Sequence, residues 1–269
     1  MPLVPTRAGE VSYEVKGEGV PIVMLHSILH DNRDYEVVAA YLAQKHKTIT
    51  IDWPWHGDSK GIADREHLGA VGFADILEDI IGGLQLEPAI FIGNSVGGFS
   101  AARLAITHPD QVRGLVLVNS GGFVEWTPFS RLLTRPLGSA AVSRFIMPRL
   151  VPRYMCPQTD QDQEITRRAA ARGGTAEGAS IAAALWRSFL HPGHDLRSRA
   201  RDIKAPVLLV WGTRDPLFPK AAGEAVQKYL PGSELKHFDT GHVVFSSKPV
   251  EFHRVVDSFI ESIVAARRV

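Results

Sequence analysis

The sequence predicts an α/β protein: a mostly parallel central sheet flanked by helices, with one helical segment inserted. Three observations predict it. Short runs rich in β-branched residues recur along the chain, and most are apolar at successive positions rather than alternating. Several of these runs lead into stretches of helical period, as βα units do. One long segment, from Phe123 to Lys204, contains no strand-like run at all.

Taken in order, Glu10 to Val15 and Val20 to Leu25 flank Lys16-Gly17-Glu18-Gly19, which predicts an antiparallel hairpin opening the sheet. The buried strands are expected at Ile22 to Leu25, Thr48 to Ile51, Ala89 to Ile92, Leu115 to Val118 and Val207 to Val210, with a further strand at Glu234 to Phe238. Helical spacing is present at Asp34 to Gln44, Gly69 to Leu84, Val96 to His108, Ala221 to Leu230 and Pro249 to Val264. Between Phe123 and Lys204, Arg, Ala and Leu recur at helical spacing and are interrupted by Pro128, Pro136, Pro148, Pro152 and Pro157. The chain therefore divides into a core, residues 1–122 and 205–269, and an inserted helical lid, residues 123–204.

The lid carries 13 Lys+Arg against 7 Asp+Glu, net +6, and the rest of the chain is net −5. If some of Arg144, Arg149, Arg153, Arg167, Arg168, Arg172 and Arg187 face the site, acidic substrates are favoured; the alternative is that they form a solvated outer face or pair with Asp160, Asp162 and Glu164. The whole chain has 30 Lys+Arg against 29 Asp+Glu, so no global field recruits nucleic acid. No apolar run approaches spanning length, so stable membrane insertion is not expected. A lone cysteine, Cys156, and an N-terminus without a basic stretch before an apolar core predict the cytoplasm. A small-molecule substrate is the expected partner, with no cofactor and no metal; the oligomeric state is left open.

Directly after the run Ala89 to Ile92 comes Gly93-Asn94-Ser95-Val96-Gly97-Gly98, and a helical pattern begins at once. A serine on so sharp a turn between strand and helix is exposed for attack, and small residues two before and two after it keep neighbouring backbone from colliding. Gly93 and Gly97 meet that need, which predicts Ser95 as a covalent nucleophile. The first helical N–H, that of Val96, is a natural oxyanion donor, and the loop His26-Ser27-Ile28-Leu29 offers a second at Ile28.

A serine hydroxyl needs a base, and the base needs an orienting carboxylate. Asp215 follows the run Val207 to Val210 in Trp211-Gly212-Thr213-Arg214-Asp215-Pro216; taken alone, it reads equally as a turn-forming Asp before Pro. His242 follows the run Glu234 to Phe238 in Asp239-Thr240-Gly241-His242. Of the other histidines weighed, His237 falls inside a strand, His253 inside the last helix, and His26, His30 and His56 precede the serine. Ser95, Asp215 and His242 are therefore the predicted triad.

With these residues in place, the sequence resembles the α/β-hydrolase superfamily over nearly its whole length outside the lid. Asp52-Trp53-Pro54-Trp55-His56-Gly57-Asp58-Ser59 resembles the family's Asp-x-x-Gly-x-Gly-x-Ser turn, with Pro54 replacing the first Gly. The resemblance implies a serine hydrolase, since the haloalkane dehalogenase and epoxide hydrolase branches use aspartate at the elbow. The default activity is hydrolysis of a small carboxylic ester through an acyl-serine. The elbow also resembles that of the carbon–carbon bond hydrolases that cleave dicarboxylate ring-fission products. A third reading is a ligand receptor that keeps the triad but turns over slowly or not at all. The family usually has His-Gly where this chain has His26-Ser27, so Ser27 either adds a hydrogen bond to the substrate or caps the turn.

Overall fold

The computed structural model describes residues 1–63, 65 and 67–266. Among the described residues, nine strands form one sheet: β1 (Leu3–Thr6), β2 (Gly9–Lys16), β3 (Pro21–Leu25), β4 (Lys47–Ile51), β5 (Lys60–Gly61), β6 (Ala89–Asn94), β7 (Val112–Val118), β8 (Val207–Gly212) and β9 (Glu234–Phe238). Their order is β1-β2-β4-β3-β6-β7-β8-β9, with β5 beside β2. From β4 to β9 every pairing is parallel. The continuous apolar runs become β3, β6 and β8, buried at every position because helices cover both faces. Strand β9, at the edge, carries Glu234, Lys236 and His237 and is mostly exposed, which blunts its open side.

The opening hairpin is corrected. β2 does not pair with β3; it runs antiparallel to β1 on one side and to β4 on the other. The turn at Gly17 (φ 70°) and Gly19 (φ 107°) forms, but it carries the chain past β4. β3 is wholly apolar and satisfies both edges with parallel partners, β4 and β6, at the centre of the sheet. The hairpin that opens the fold is instead β1–β2, joined through Arg7-Ala8.

Helices α1 (Glu36–Leu42), α2 (Ala70–Gly83) and α3 (Val96–Thr107) connect the first strands, as their spacing predicts. Between β7 and β8 stand α4 (Pro128–Thr134), α5 (Ala140–Met155), α6 (Asp160–Gly174) and α7 (Ala176–Ser188), with no strand among them. Thr127, Thr159 and Thr175 accept backbone N–H bonds as N-caps, so each of α4, α6 and α7 starts where its sequence allows it. Prolines 148 and 152 lie inside α5 rather than ending it, because packing against α6 and α7 holds the helix around them. Helices α8 (Lys220–Tyr229), α9 (Val244–Ser247) and α10 (Pro249–Ala266) complete the chain. No helix among the described residues is long and apolar enough to cross a membrane.

Candidate active site

Ser95 caps α3 at the end of β6 with φ 56° and ψ −115°, a conformation that costs a non-glycine residue about 1–3 kcal/mol. The turn is held by the neighbouring strand end: the Ser95 N–H donates to the Val118 carbonyl at 3.0 Å, and the Gly121 N–H donates to the Ser95 carbonyl at 3.1 Å. A Cβ on Gly97 would collide with the Leu25 carbonyl, and one on Gly93 with the backbone of Gly97, so both glycines are required for the close approach. Asn94, beside the serine, donates from Nδ2 to the carbonyls of Val118 (3.1 Å) and His242 (3.0 Å). One amide thus joins the serine's turn to the histidine's loop.

His242 is 2% exposed and Asp215 is 1% exposed. The Nδ1 of His242 lies 2.5 Å from Asp215 Oδ2, which also accepts from Asn119 Nδ2 at 2.8 Å, while Oδ1 accepts from the Leu217 N–H at 2.8 Å. A carboxylate so supplied with donors is fixed in place and directs the second ring nitrogen of His242 outward. Phe218 stacks on that ring at 5.6 Å and Tyr154 meets it edge-on at 5.3 Å. The backbone N–H of His242 donates to the Tyr154 carbonyl at 2.9 Å, so the insertion helps to seat this loop.

Ser95, His242 and Ile28 line one cavity of about 320 Å³, whose walls are mainly apolar: Val124, Trp126, Leu133, Trp186, Phe189 and Phe218. Val96 and Ser95 also border a small adjoining pocket of about 20 Å³ that reaches His194. Three buried polar atoms around these spaces have no protein partner: Ser27 Oγ, Trp186 Nε1 and His194 Nε2. Burial pushes the His194 imidazole down to about 4, so it is neutral near pH 7.

The loop carrying Ile28 is braced from several directions. The Nδ1–H of His26 donates to the Ser27 carbonyl at 2.7 Å, and its Nε2 accepts from the Trp53 N–H at 3.0 Å. Burial lowers His26 to about 3, consistent with that neutral tautomer. Leu29 holds φ 67°, and its N–H donates to His56 Nε2 at 3.3 Å. Asp52, in the turn that resembles the family's, accepts from the N–H groups of Asn32 and Asp58, at 2.8 and 3.0 Å. Its carboxyl is pushed up to about 6, mainly by burial.

From α6, Arg172 donates to the carbonyls of Leu29 (3.1 Å) and His30 (2.7 Å) and to Asp31 (3.3 Å), while Arg168 pairs with Asp34 at 2.9 Å. His30 bridges Asp34 and the Tyr154 hydroxyl. Arg144, Arg149, Arg153 and Arg187 bond backbone carbonyls, and Arg167 pairs with Glu164. None of these arginines lines the cavity. Of the partners expected within the insertion, Glu164 takes Arg167, whereas Asp162 bonds Ser246 instead; Arg168 and Arg172 reach Asp31 and Asp34 of the core, and Arg144, Arg149, Arg153 and Arg187 are exposed. Arg172→Ala strips one partner from a buried carboxylate that keeps Arg33, and is expected to lower stability by about 2 kcal/mol in urea unfolding.

The structure thus brings together Ser95, His242 and Ile28 at one cavity, with Asp215 behind the histidine and Val96 after the serine. His253 instead stacks on Tyr41 at 4.0 Å, and His237 lies on edge strand β9. Sequence reasoning missed Asn94 and Asn119 as supports, although both stand beside residues it used, and it missed the aromatic wall and Tyr154. Among the described residues, no three His, Cys, Asp or Glu side chains are placed to hold a metal ion.

The family model for the alpha/beta hydrolase family matches residues 22–255. A pimeloyl-[acyl-carrier protein] methyl ester esterase from Nitrosomonas europaea is 28% identical over 264 residues, spanning 92% of this chain and 98% of that protein. Among solved structures, the enol-lactonase from Burkholderia xenovorans superposes with a TM-score of 0.82 at 19% identity, covering 97% of this chain and 100% of that one. A thermophilic esterase from Thermogutta terrifontis gives 0.82 at 21% identity, over 97% and 98%. The chain belongs to the alpha/beta hydrolase family.

Proposed function

We propose that this hydrolase cleaves a small carboxylic ester through an acyl-serine intermediate. The reading rests on one observation above the rest: the strained Ser95 and the Asp215-supported His242 open onto the same cavity. His242 Nε2 takes the Ser95 proton as Oγ bonds to the ester carbonyl carbon, and the resulting oxyanion is held by the N–H groups of Ile28 and Val96. The proton passes to the departing alkoxide, leaving an acyl-serine. Water, deprotonated by His242, attacks that ester; the carboxylic acid leaves and Oγ regains a proton. The insertion acts as the lid that keeps bulk water from this sequence, and the chain works in the cytoplasm.

A cavity of about 320 Å³ stands at the small end for ligand sites and suits a short acyl or alcohol group. Among its lining residues Glu125 is charged and no Lys or Arg is present, so a dicarboxylate would enter without a counter-charge. That observation favours the ester over the carbon–carbon substrate. The test is a series of p-nitrophenyl esters of increasing chain length beside a dicarboxylate ring-fission substrate, with fluorophosphonate labelling in parallel. Acetate or butyrate esters are expected to give the highest kcat/KM, with one label per chain. Faster cleavage of the dicarboxylate would select the carbon–carbon reaction, and an unlabelled, inert protein would select the receptor.

A further inference from the structure

The loop from His26 to His30 is fixed at nearly every group it offers. His26 is tied to Trp53, the Leu29 N–H to His56, and the Leu29 and His30 carbonyls to Arg172. The turn itself is closed by backbone, with the His30 N–H donating to the Ser27 carbonyl at 3.3 Å. The Ser27 hydroxyl takes no part in any of this. It is buried, the residue being 2% exposed, its Oγ has no protein partner, and Ser27 lines the cavity shared by Ser95, Ile28 and His242. A hydroxyl that caps a turn has a backbone partner, and this one has none.

A buried hydroxyl without a partner is costly, and on a residue that lines a reaction cavity such a group is explained by a ligand atom that completes it. The atom that develops charge beside this loop is the carbonyl oxygen of the substrate. Resting on the acyl-serine reading, we infer that the Ser27 hydroxyl is a third oxyanion donor beside the N–H groups of Ile28 and Val96. It donates a hydrogen bond and keeps its proton, so no acid–base step passes through it. Because a tetrahedral oxyanion accepts far more strongly than a neutral ester carbonyl, the bond acts on the transition state more than on substrate binding. The bracing of the loop holds the Ser27 backbone in place, so the donor needs little reorganisation at the moment of attack. A position that is usually glycine in the family then adds a donor.

The test uses steady-state kinetics on p-nitrophenyl butyrate with Ser27→Ala, Ser27→Gly and Ser27→Thr, and the affinity of a trifluoromethyl ketone that forms the tetrahedral adduct. Ser27→Ala and Ser27→Gly are expected to lower kcat about 10–100-fold with KM within about twofold, and to weaken the ketone by a matching factor. Ser27→Thr should recover part of the loss. Thermal unfolding checks each variant; should Ser27→Ala fail to fold, Ser27→Gly, the family's own residue, carries the comparison. Wild-type kcat and ketone affinity in Ser27→Gly would overturn the assignment while fluorophosphonate labelling of the wild type still upheld Ser95. A rise in KM at constant kcat would also overturn it. A wild type that neither labels nor turns over removes the acyl-serine reading, and the third donor with it.

Discussion

Ser95→Ala is expected to abolish fluorophosphonate labelling and to lower kcat by about 10⁶-fold, with the fold intact. The magnitude follows from the chemistry: without Oγ no covalent bond links the oxyanion donors to product, and the remaining catalysis comes from binding and charge stabilisation alone. The hydroxyl supports nothing else, since the turn is held through the Ser95 backbone by Val118 and Gly121. Ser95→Gly should be equally inactive but should unfold at a higher temperature than Ser95→Ala, because glycine accepts φ 56° without strain. Turnover near wild type in either variant would mean that the nucleophile lies elsewhere.

His242→Ala is expected to cost a similar factor, about 10⁵–10⁶-fold in kcat, and Asp215→Asn about 10⁴-fold. Asp215 Oδ2 receives both His242 Nδ1 and Asn119 Nδ2, so an amide there turns an acceptor shared by two donors into a third donor or a rotated group. The imidazole then loses the partner that fixes its tautomer. The double variant should be little worse than His242→Ala, because the orienting carboxylate has no function once the base is gone. Losses that multiply independently in kcat would show that Asp215 supports the loop rather than the base.

The parallel strands and their helices were legible because continuous apolar runs leave few alternatives to a sheet covered on both faces. The candidate triad was legible for a related reason: each member follows a run of its own, so chain order stood in for spatial proximity. Pairing partners were not legible in the same way. Gly17 and Gly19 announce a turn, but the sequence near them does not say that β4, some thirty residues later, will take the place beside β2. Asn94 and Asn119 are short polar residues next to strand ends, and their role depends on carbonyls and a carboxylate reached only through the fold. For Arg168 and Arg172 the sequence offers no sign of pairing, because their acidic partners, Asp31 and Asp34, lie more than a hundred residues away.

The support that Tyr154 gives to the His242 backbone makes the insertion behave like a cantilever. Its fixed end is broad: Tyr154 holds the His242 amide, Gln158 Nε2 reaches the Asp239 carbonyl at 2.6 Å, Thr159 the Ser246 carbonyl at 3.2 Å, and Asp162 bonds the Ser246 hydroxyl. Its opposite end is α4, where Phe129, Leu132 and Leu133 stand exposed and the side-chain bonds stay within the segment. A swing of the whole insertion would cost His242 its backbone acceptor and Leu29 and His30 their arginine. Any opening that leaves the histidine seated must therefore bend near α4, away from the contacts that hold the His242 loop.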